Sequence, residues 1–323
     1  MRILFMGTPE FAAVSLKHLI VNNFEICGVV TQPDRPKGRG MALRASPVKL
    51  LAIQNGLPVW QPQRVAETDF LKVFEELKPD LAVVVAFGQK IPPQILYGPR
   101  YGCINVHASL LPKYRGADPI RAVLLNGETT TGITTMYLNE GWDTGDIIFQ
   151  EETAIAAAEN YAGLYCRLAE LGGQVLIRTL KAIEAGNAPR IPQDDRFATI
   201  APKIKPEEYC IDWGEPAAKI HNLVRALAPQ PGAETFFRCE RFKILETKIS
   251  DSDDEAGNSD GCGPGGILKV VKNQGLLVAT GDRPLLITKI QPAGKKAMSA
   301  FDCANGRCIK PGMRLCREME INL

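Results

Sequence analysis

The sequence predicts an α/β domain, a mostly parallel sheet covered by helices on both faces, followed by a smaller β-barrel domain. Three observations predict it. Apolar, β-rich runs alternate with segments of helical spacing through the first half of the 323 residues. The texture changes at a proline-punctuated stretch near residue 189. The last third is a series of short β runs separated by turn signals.

Residues 3–6, 26–30, 81–86 and 103–106 are short, apolar and bounded by Gly, Pro or Asp, as buried strands are. Between them, residues 11–21, 47–55 and 69–77 carry apolar side chains at helical spacing. That order implies right-handed crossovers into a Rossmann-like sheet. Residues 131–138 alternate weakly and 147–151 follow a glycine-rich turn, which suits an antiparallel edge. Residues 164–184 read as a long amphipathic helix stopped at Gly186. These elements make a domain of residues 1–188. Pro189, Pro192, Pro202 and Pro206 then break up an aperiodic stretch, read as a linker over 189–205. In 206–323 one helical segment (217–226) precedes β runs at 235–237, 242–249, 266–271, 275–279 and 284–291, the pattern of a small OB-like barrel. Residues 250–266, acidic and then glycine-rich, read as an exposed loop.

Composition excludes several classes. A chain that is 45% hydrophobic and 23% charged can fill two cores, and a net charge of +2 means that any nucleic-acid surface must be local. Nine scattered cysteines lack a Cys-x-x-Cys pair and only three histidines accompany them, which argues against a metal site. The thiols read as reduced, most of them small buried hydrophobes. The apolar N-terminal run closes at Gly7, too short for a secretory signal, and no apolar run reaches the ~18 residues that span a bilayer. The expectation is a cytoplasmic protein with no membrane attachment.

The informative block is Asn105-Val106-His107-Ala108-Ser109-Leu110-Leu111-Pro112-Lys113-Tyr114-Arg115-Gly116, with Asp143 downstream between glycines. Positions two apart on a strand face the same way, so Asn105 and His107 project together at the end where open α/β sheets bind ligands. A carboxamide can donate to a carbonyl oxygen, an imidazole can donate or carry a proton, and a carboxylate can orient the imidazole. Together these are the parts of an acyl-transfer site. No serine or cysteine stands in a nucleophile motif, which favours direct attack by a substrate amine. Taken one at a time, each residue also has a plainer reading: His107 as a hydrogen-bonded structural residue, Asp143 as a turn former, Asn105 as a cap. After the first strand, Gly7-Thr8-Pro9 lacks the second and third glycines of a dinucleotide fingerprint, and Thr31-Gln32 stand where its acidic ribose ligand would be. A tight turn is the better reading.

The joint pattern resembles the 10-formyltetrahydrofolate-dependent formyltransferase family, and within it the branch that acts on methionyl-tRNA. The string from Cys103 to Ala117 carries the resemblance. So do Gly7-Thr8-Pro9-Glu10-Phe11-Ala12, Thr31-Gln32-Pro33-Asp34-Arg35-Pro36, Gly38-Arg39-Gly40, Ser46-Pro47-Val48-Lys49 and Gln291-Pro292-Ala293-Gly294-Lys295-Lys296-Ala297-Met298. Ala108 and Tyr114 depart from the commoner Gly and Trp. The resemblance covers nearly the whole chain and implies Asn105, His107 and Asp143 as the catalytic set, with 10-formyltetrahydrofolate as cosubstrate. It places the folate against Ser109, Leu110, Leu111 and Pro112, with Phe87, Gly88 and the loop from Leu138 to Gly141 completing the pocket.

Residues 34–49 hold Arg35, Lys37, Arg39, Arg44 and Lys49 against one acid, Asp34. Composition alone allows an irregular solvated loop or a phosphate grip. The resemblance selects the second, with Arg39 the first contact to initiator methionyl-tRNA and Lys37 and Arg44 supporting it. Residues 206–323 balance sixteen basic against sixteen acidic residues, five of the acids lying in the 250–266 loop. A barrel face carrying Lys295 and Lys296 can track a nucleic-acid backbone once that loop points away. Trp213 and the Phe236/Phe237 pair read as core rather than stacking platforms. The rival readings are a formyltransferase on a small amine such as a nucleotide sugar, a formate-releasing hydrolase, and a non-catalytic RNA-binding protein. The protein is expected to be a monomer.

Overall fold

The computed structural model describes residues 1–37, 42–250 and 262–318. In chain order the elements are β1 (Arg2–Gly7), α1 (Glu10–Val21), β2 (Glu25–Val30), β3 (Arg35–Lys37), β4 (Ala42–Arg44), α2 (Pro47–Gln54), β5 (Val59–Trp60), α3 (Thr68–Leu77), β6 (Leu81–Val85), α4 (Pro93–Leu96), β7 (Cys103–His107), α5 (Pro119–Leu125), β8 (Thr130–Tyr137), β9 (Ile147–Ala154) and α6 (Tyr161–Glu184). There follow α7 (Ala217–Leu227), β10 (Ala233–Phe237), β11 (Glu240–Ile249), β12 (Ile267–Val271), β13 (Gly275–Val278), β14 (Leu285–Pro292), β15 (Met298–Ser299) and α8 (Ala300–Arg307). Two compact units result. One comprises Met1–Pro119, Thr130–Ala154 and Tyr165–Ala201, the other Ile120–Thr129, Ile155–Leu164 and Pro202–Leu323.

The first unit is a seven-stranded sheet in the order β5-β2-β1-β6-β7-β8-β9. The first five strands run parallel, and β8 and β9 form the antiparallel edge that the sequence predicts. Leu81–Val85 is buried throughout, as a strand covered on both faces must be. On one face Leu4, Met6, Ala82, Val84 and Cys103 pack with Phe70 and Phe74 of α3 and Ile95 and Leu96 of α4. On the other, Gly172 of α6 lies against Val106, Ile133 and Phe11, close enough that a side chain there would crowd Val106. Each large apolar side chain so buried contributes about 1.5–3 kcal/mol. The chain proceeds outward from β1 to β2 and β5, then returns to lay β6 and β7 on the other side. The direction of winding therefore reverses between β1 and β6, and the C-terminal ends of those strands open a crevice.

The turn after β1 is as expected. Pro9 sits just before α1, and its carbonyl accepts from Ala12 N and Ala13 N. The reading of residues 34–49 as irregular needs correction, because their described ends pair as a short hairpin, Arg35 opposite Arg44 and Pro36 opposite Leu43. A proline is tolerated in a two-stranded ribbon, where only one edge of each strand is bonded. Short α4, α5 and β5 escaped the sequence reading because they span seven residues or fewer, and the eight residues of α8 hold too few large apolar side chains to show a period. Only Cys103 and Cys303 are fully buried, and Cys166, Cys239 and Cys308 are exposed, so most of the cysteines are not core residues.

In the second unit β10-β11-β14-β13-β12 form an antiparallel sheet with β15 paired to β14. Residues 312–316 bond to both of its ends: Cys316 exchanges hydrogen bonds with Phe236, and Leu315 N and Met313 O bond to Gly265 and Ile267. The sheet therefore curls on itself around a core of Trp213, Phe237, Phe242, Ile244, Leu276, Ile287 and Ile290. Trp213 is core, its Nε1 donating to Thr235 Oγ1 at 3.0 Å. The acids of residues 251–261 lie outside the described residues.

His221 of α7 accepts from Thr247 Oγ1 through Nδ1 (2.9 Å) and donates from Nε2 to Ala157 O (3.2 Å). Desolvation first, then the Arg225 charge, hold this imidazole below its ordinary value of 6.5, against the bond to Ala157. The unfolded chain therefore binds the proton more readily. The stability due to neutral His221 is complete above pH 6.5 and is lost as pH falls below it. Thermal melts between pH 7.5 and 5.5 should show this loss, and His221→Gln should flatten it.

Candidate active site

The site grows from the C-terminal end of β7. Cys103, Asn105 and His107 share one face of that strand, and Ile104 and Val106 share the other. Asn105 lies beside Val84 of β6 and opposite Met136 of β8. It is half-buried, and its carboxamide takes no hydrogen-bond partner among the described residues. Both its donor and its acceptor are therefore open to a ligand. His107 is buried. Its Nε2 lies 2.9 Å from Tyr114 O, and since a carbonyl only accepts, Nε2 carries the hydrogen. The opposite nitrogen, Nδ1, is 3.7 Å from Asp143 Oδ2.

Asp143 reaches this position from the loop between β8 and β9. Its backbone is left-handed (φ 54°), a conformation that costs a non-glycine residue about 1–2 kcal/mol. Asn139 braces the loop by accepting from Gly141 N (3.0 Å) and Thr144 Oγ1 (2.8 Å). The carboxylate itself accepts from Gly116 N at 2.8 Å, which ties it to the end of the motif that begins at Asn105. The three residues singled out in the sequence thus meet at one strand end, thirty-eight positions apart at most.

The Ser109–Pro112 turn is held by one hydroxyl. Thr134 Oγ1 donates to Ser109 O (2.6 Å) and accepts from Leu111 N (3.1 Å) and Gln150 Nε2 (3.0 Å), and Gln150 also donates to Leu111 O (2.8 Å). Ser109 Oγ bonds to Lys113 O, Leu111 is buried against Met136 and Ile147, and Leu110 and Pro112 remain half-open. Leu138 packs against this cluster and also against the one holding Phe87, so these predicted pocket segments do come together. Phe87 needs a correction of detail. Its ring is core, which leaves only backbone for a ligand, and its carbonyl already accepts from Thr8 Oγ1 (3.2 Å) and Gln32 Nε2 (3.1 Å). Gly88 and Gly141 are exposed. Thr134, Gln150, Asn139 and Gln193 were missed. The first two occupy strand positions that face the motif, a signal visible only once β8 and β9 are paired with β7.

Of the basic residues at 34–49, Lys49 is committed elsewhere. Its Nζ lies 2.7 Å from Asp34 Oδ2, and Lys49 and Gln61 hold the Asp34 carboxyl below its ordinary range. Lys37 and Arg44 sit on the hairpin and Arg44 is exposed, while Arg39 lies outside the described residues. Lys295 and Lys296 are exposed between β14 and β15 in the second unit, where Gln291 Nε2 donates to Lys295 O (2.8 Å).

Comparison with known proteins adds identity to this geometry. The "Formyl transferase" family matches residues 1–180 and the "Formyl transferase, C-terminal domain" family matches residues 203–307. The chain is 45% identical to a methionyl-tRNA formyltransferase of Moorella thermoacetica over 97% of its length and 98% of the relative's. It is 45% identical to that of Clostridioides difficile over 98% and 100%. Among solved structures, an N-formyltransferase from Helicobacter canadensis in complex with folinic acid and dTDP-3-aminofucose superposes with a TM-score of 0.64 at 16% identity, covering 90% of this chain and 98% of that one. That last likeness is one of fold.

Proposed function

The chain belongs to the methionyl-tRNA formyltransferase family, and on that footing we propose that Asn105, His107 and Asp143 carry its reaction. The activity is transfer of the formyl group of 10-formyltetrahydrofolate to the α-amino group of methionine on initiator tRNA. One observation carries the assignment: a half-buried carboxamide with no hydrogen-bond partner among the described residues stands beside a buried imidazole that faces a carboxylate. An open donor beside an imidazole and a carboxylate is what stabilising charge on an electrophile's oxygen requires.

The bound folate supplies an activated formyl carbon. Asn105 donates its amide N–H to the formyl oxygen as negative charge develops there. His107 is fixed by Tyr114 O at Nε2, so its Nδ1 edge is the one that serves the site. Asp143, 3.7 Å from that edge, keeps the ring oriented and can take up the proton that the attacking amine releases, which balances the one the folate nitrogen gains as its bond to the formyl carbon breaks. The Ser109–Pro112 turn, Gly88 and the Leu138–Gly141 loop hold the folate, with Phe87 contributing backbone alone. Lys37 and Arg44 of the hairpin, together with Arg39, Lys295 and Lys296, bind tRNA phosphates. On this reading the protein acts as a cytoplasmic monomer. Among the described residues no helix is long and apolar enough to cross a membrane.

The test is direct. Incubation with 10-formyltetrahydrofolate and charged initiator tRNA should yield N-formylmethionyl-tRNA, with a nucleotide amino sugar left unmodified and no free formate released in the absence of tRNA. Salt-sensitive tRNA binding without formyl transfer would leave an RNA-binding protein instead.

A further inference from the structure

Gln193 lies in the proline-punctuated stretch that the sequence presents as a linker, yet its side chain makes four hydrogen bonds to nitrogen and oxygen partners next to the site, and its Nε2 also lies 3.9 Å from Met136 Sδ. Nε2 donates to Asp143 O (2.8 Å) and to Gly145 O (2.8 Å). Oε1 accepts from Arg115 Nε (3.0 Å) and Nη2 (2.7 Å). A carboxamide has two donors and two acceptor sites, and all are used. Arg115 is buried and its Nη2 also reaches Asp195 Oδ1 at 2.8 Å, so the anchor is itself fixed. The stretch is pinned on both sides of Gln193: Ile191 exchanges backbone bonds with Ile147, and Arg115 N and Ala201 N bond to Thr199 O and Arg115 O.

This arrangement holds Asp143 from two directions. Gly116, the residue after Arg115, binds the carboxylate, and the Arg115 side chain acts through Gln193 on the backbone. Asp143 keeps a left-handed backbone, which persists only where its surroundings over-determine it. We propose that Gln193 is a positioning residue for formyl transfer, setting the Asp143 carboxylate against His107 by clamping the carbonyls on either side of Thr144. This rests on the assignment of Asp143 to the catalytic set.

Glutamate is the discriminating replacement. It keeps the partner of Arg115, now as an ion pair, but turns a carboxylate oxygen toward two carbonyl oxygens that need donors. Gln193→Glu should therefore release the loop while the stretch stays anchored. A misplacement of about 1 Å is enough to slow turnover ~100-fold. The expected result is a kcat lowered 30- to 100-fold (on the order of the effect of such a displacement), with KM for 10-formyltetrahydrofolate and the melting temperature nearly unchanged. In an Asp143→Ala background the same change should have no further effect, because interacting residues are non-additive. Should Gln193→Glu fail to fold, Gln193→Met, which drops all four bonds at similar volume, carries the same expectation. Equal losses in both backgrounds would show a general structural role and overturn the proposal. A slow Asp143→Ala beside a fast Gln193→Glu would overturn it while leaving the catalytic set standing. A fast Asp143→Ala would remove Asp143 from the catalytic set and this role with it.

Discussion

Asn105→Ala is expected to lower kcat by about 10²–10³, equivalent to roughly 2.7–4 kcal/mol, while the folded protein melts as before. The two halves of this expectation have one cause. Because the carboxamide has no partner among the described residues, removing it strands no other polar group and leaves the sheet untouched. On the proposed mechanism, what is lost is a donor to the oxygen on which charge develops, and its worth appears only in the transition state. The loss should therefore fall on kcat and not on KM for either substrate. Asn105→Asp tests the sign of the interaction. It keeps the shape but offers only acceptors at neutral pH, so it should be at least as slow as alanine. Single-turnover formylation measured beside thermal melts decides the matter, and a near-normal rate for either variant would remove Asn105 from the reacting centre.

Sequence pattern revealed the strands and long helices of the first unit because parallel strands buried on both faces leave continuous apolar runs. It also placed Asn105 and His107 together, since they share a strand and their two-residue spacing fixes a common face. Asp143 could be joined to them only through family resemblance. Its position depends on the register of β7 with β8 and on a loop whose bracing by Asn139 leaves no periodic trace. Gln193 was invisible for a different reason. A stretch rich in proline with no hydrophobic period reads as a tether, but hydrogen bonds to loop carbonyls need neither periodicity nor apolar residues. The hairpin at the base of residues 34–49 was likewise hidden, because a two-stranded ribbon on the surface has no buried face to impose alternation.

Gly145→Ala should be nearly as damaging to turnover as loss of Asp143 itself, for a steric reason. A Cβ at this position would stand well inside 3.0 Å of Tyr137 O and just under 3.0 Å from Tyr137 C, both backbone atoms. Tyr137 cannot yield, since it ends β8, pairs with Ile104, and donates its N–H to Asp146 O at 2.9 Å. The loop must move instead, and it carries both the Asp143 carboxylate and the two carbonyls that Gln193 grips. Displacement by about 1 Å predicts a rate loss of ~100-fold, with a stability cost of about 1–3 kcal/mol typical of an overpacked site. Gly163→Ala supplies the control, because a Cβ there meets only contacts beyond 3.5 Å and a helix favours alanine over glycine by about 1 kcal/mol. That variant should keep full activity and unfold no more readily. If Gly145→Ala lost stability but kept its rate, the Asp143 loop would tolerate a shift that the mechanism forbids, and the 3.7 Å relation of Asp143 to His107 would have no catalytic meaning.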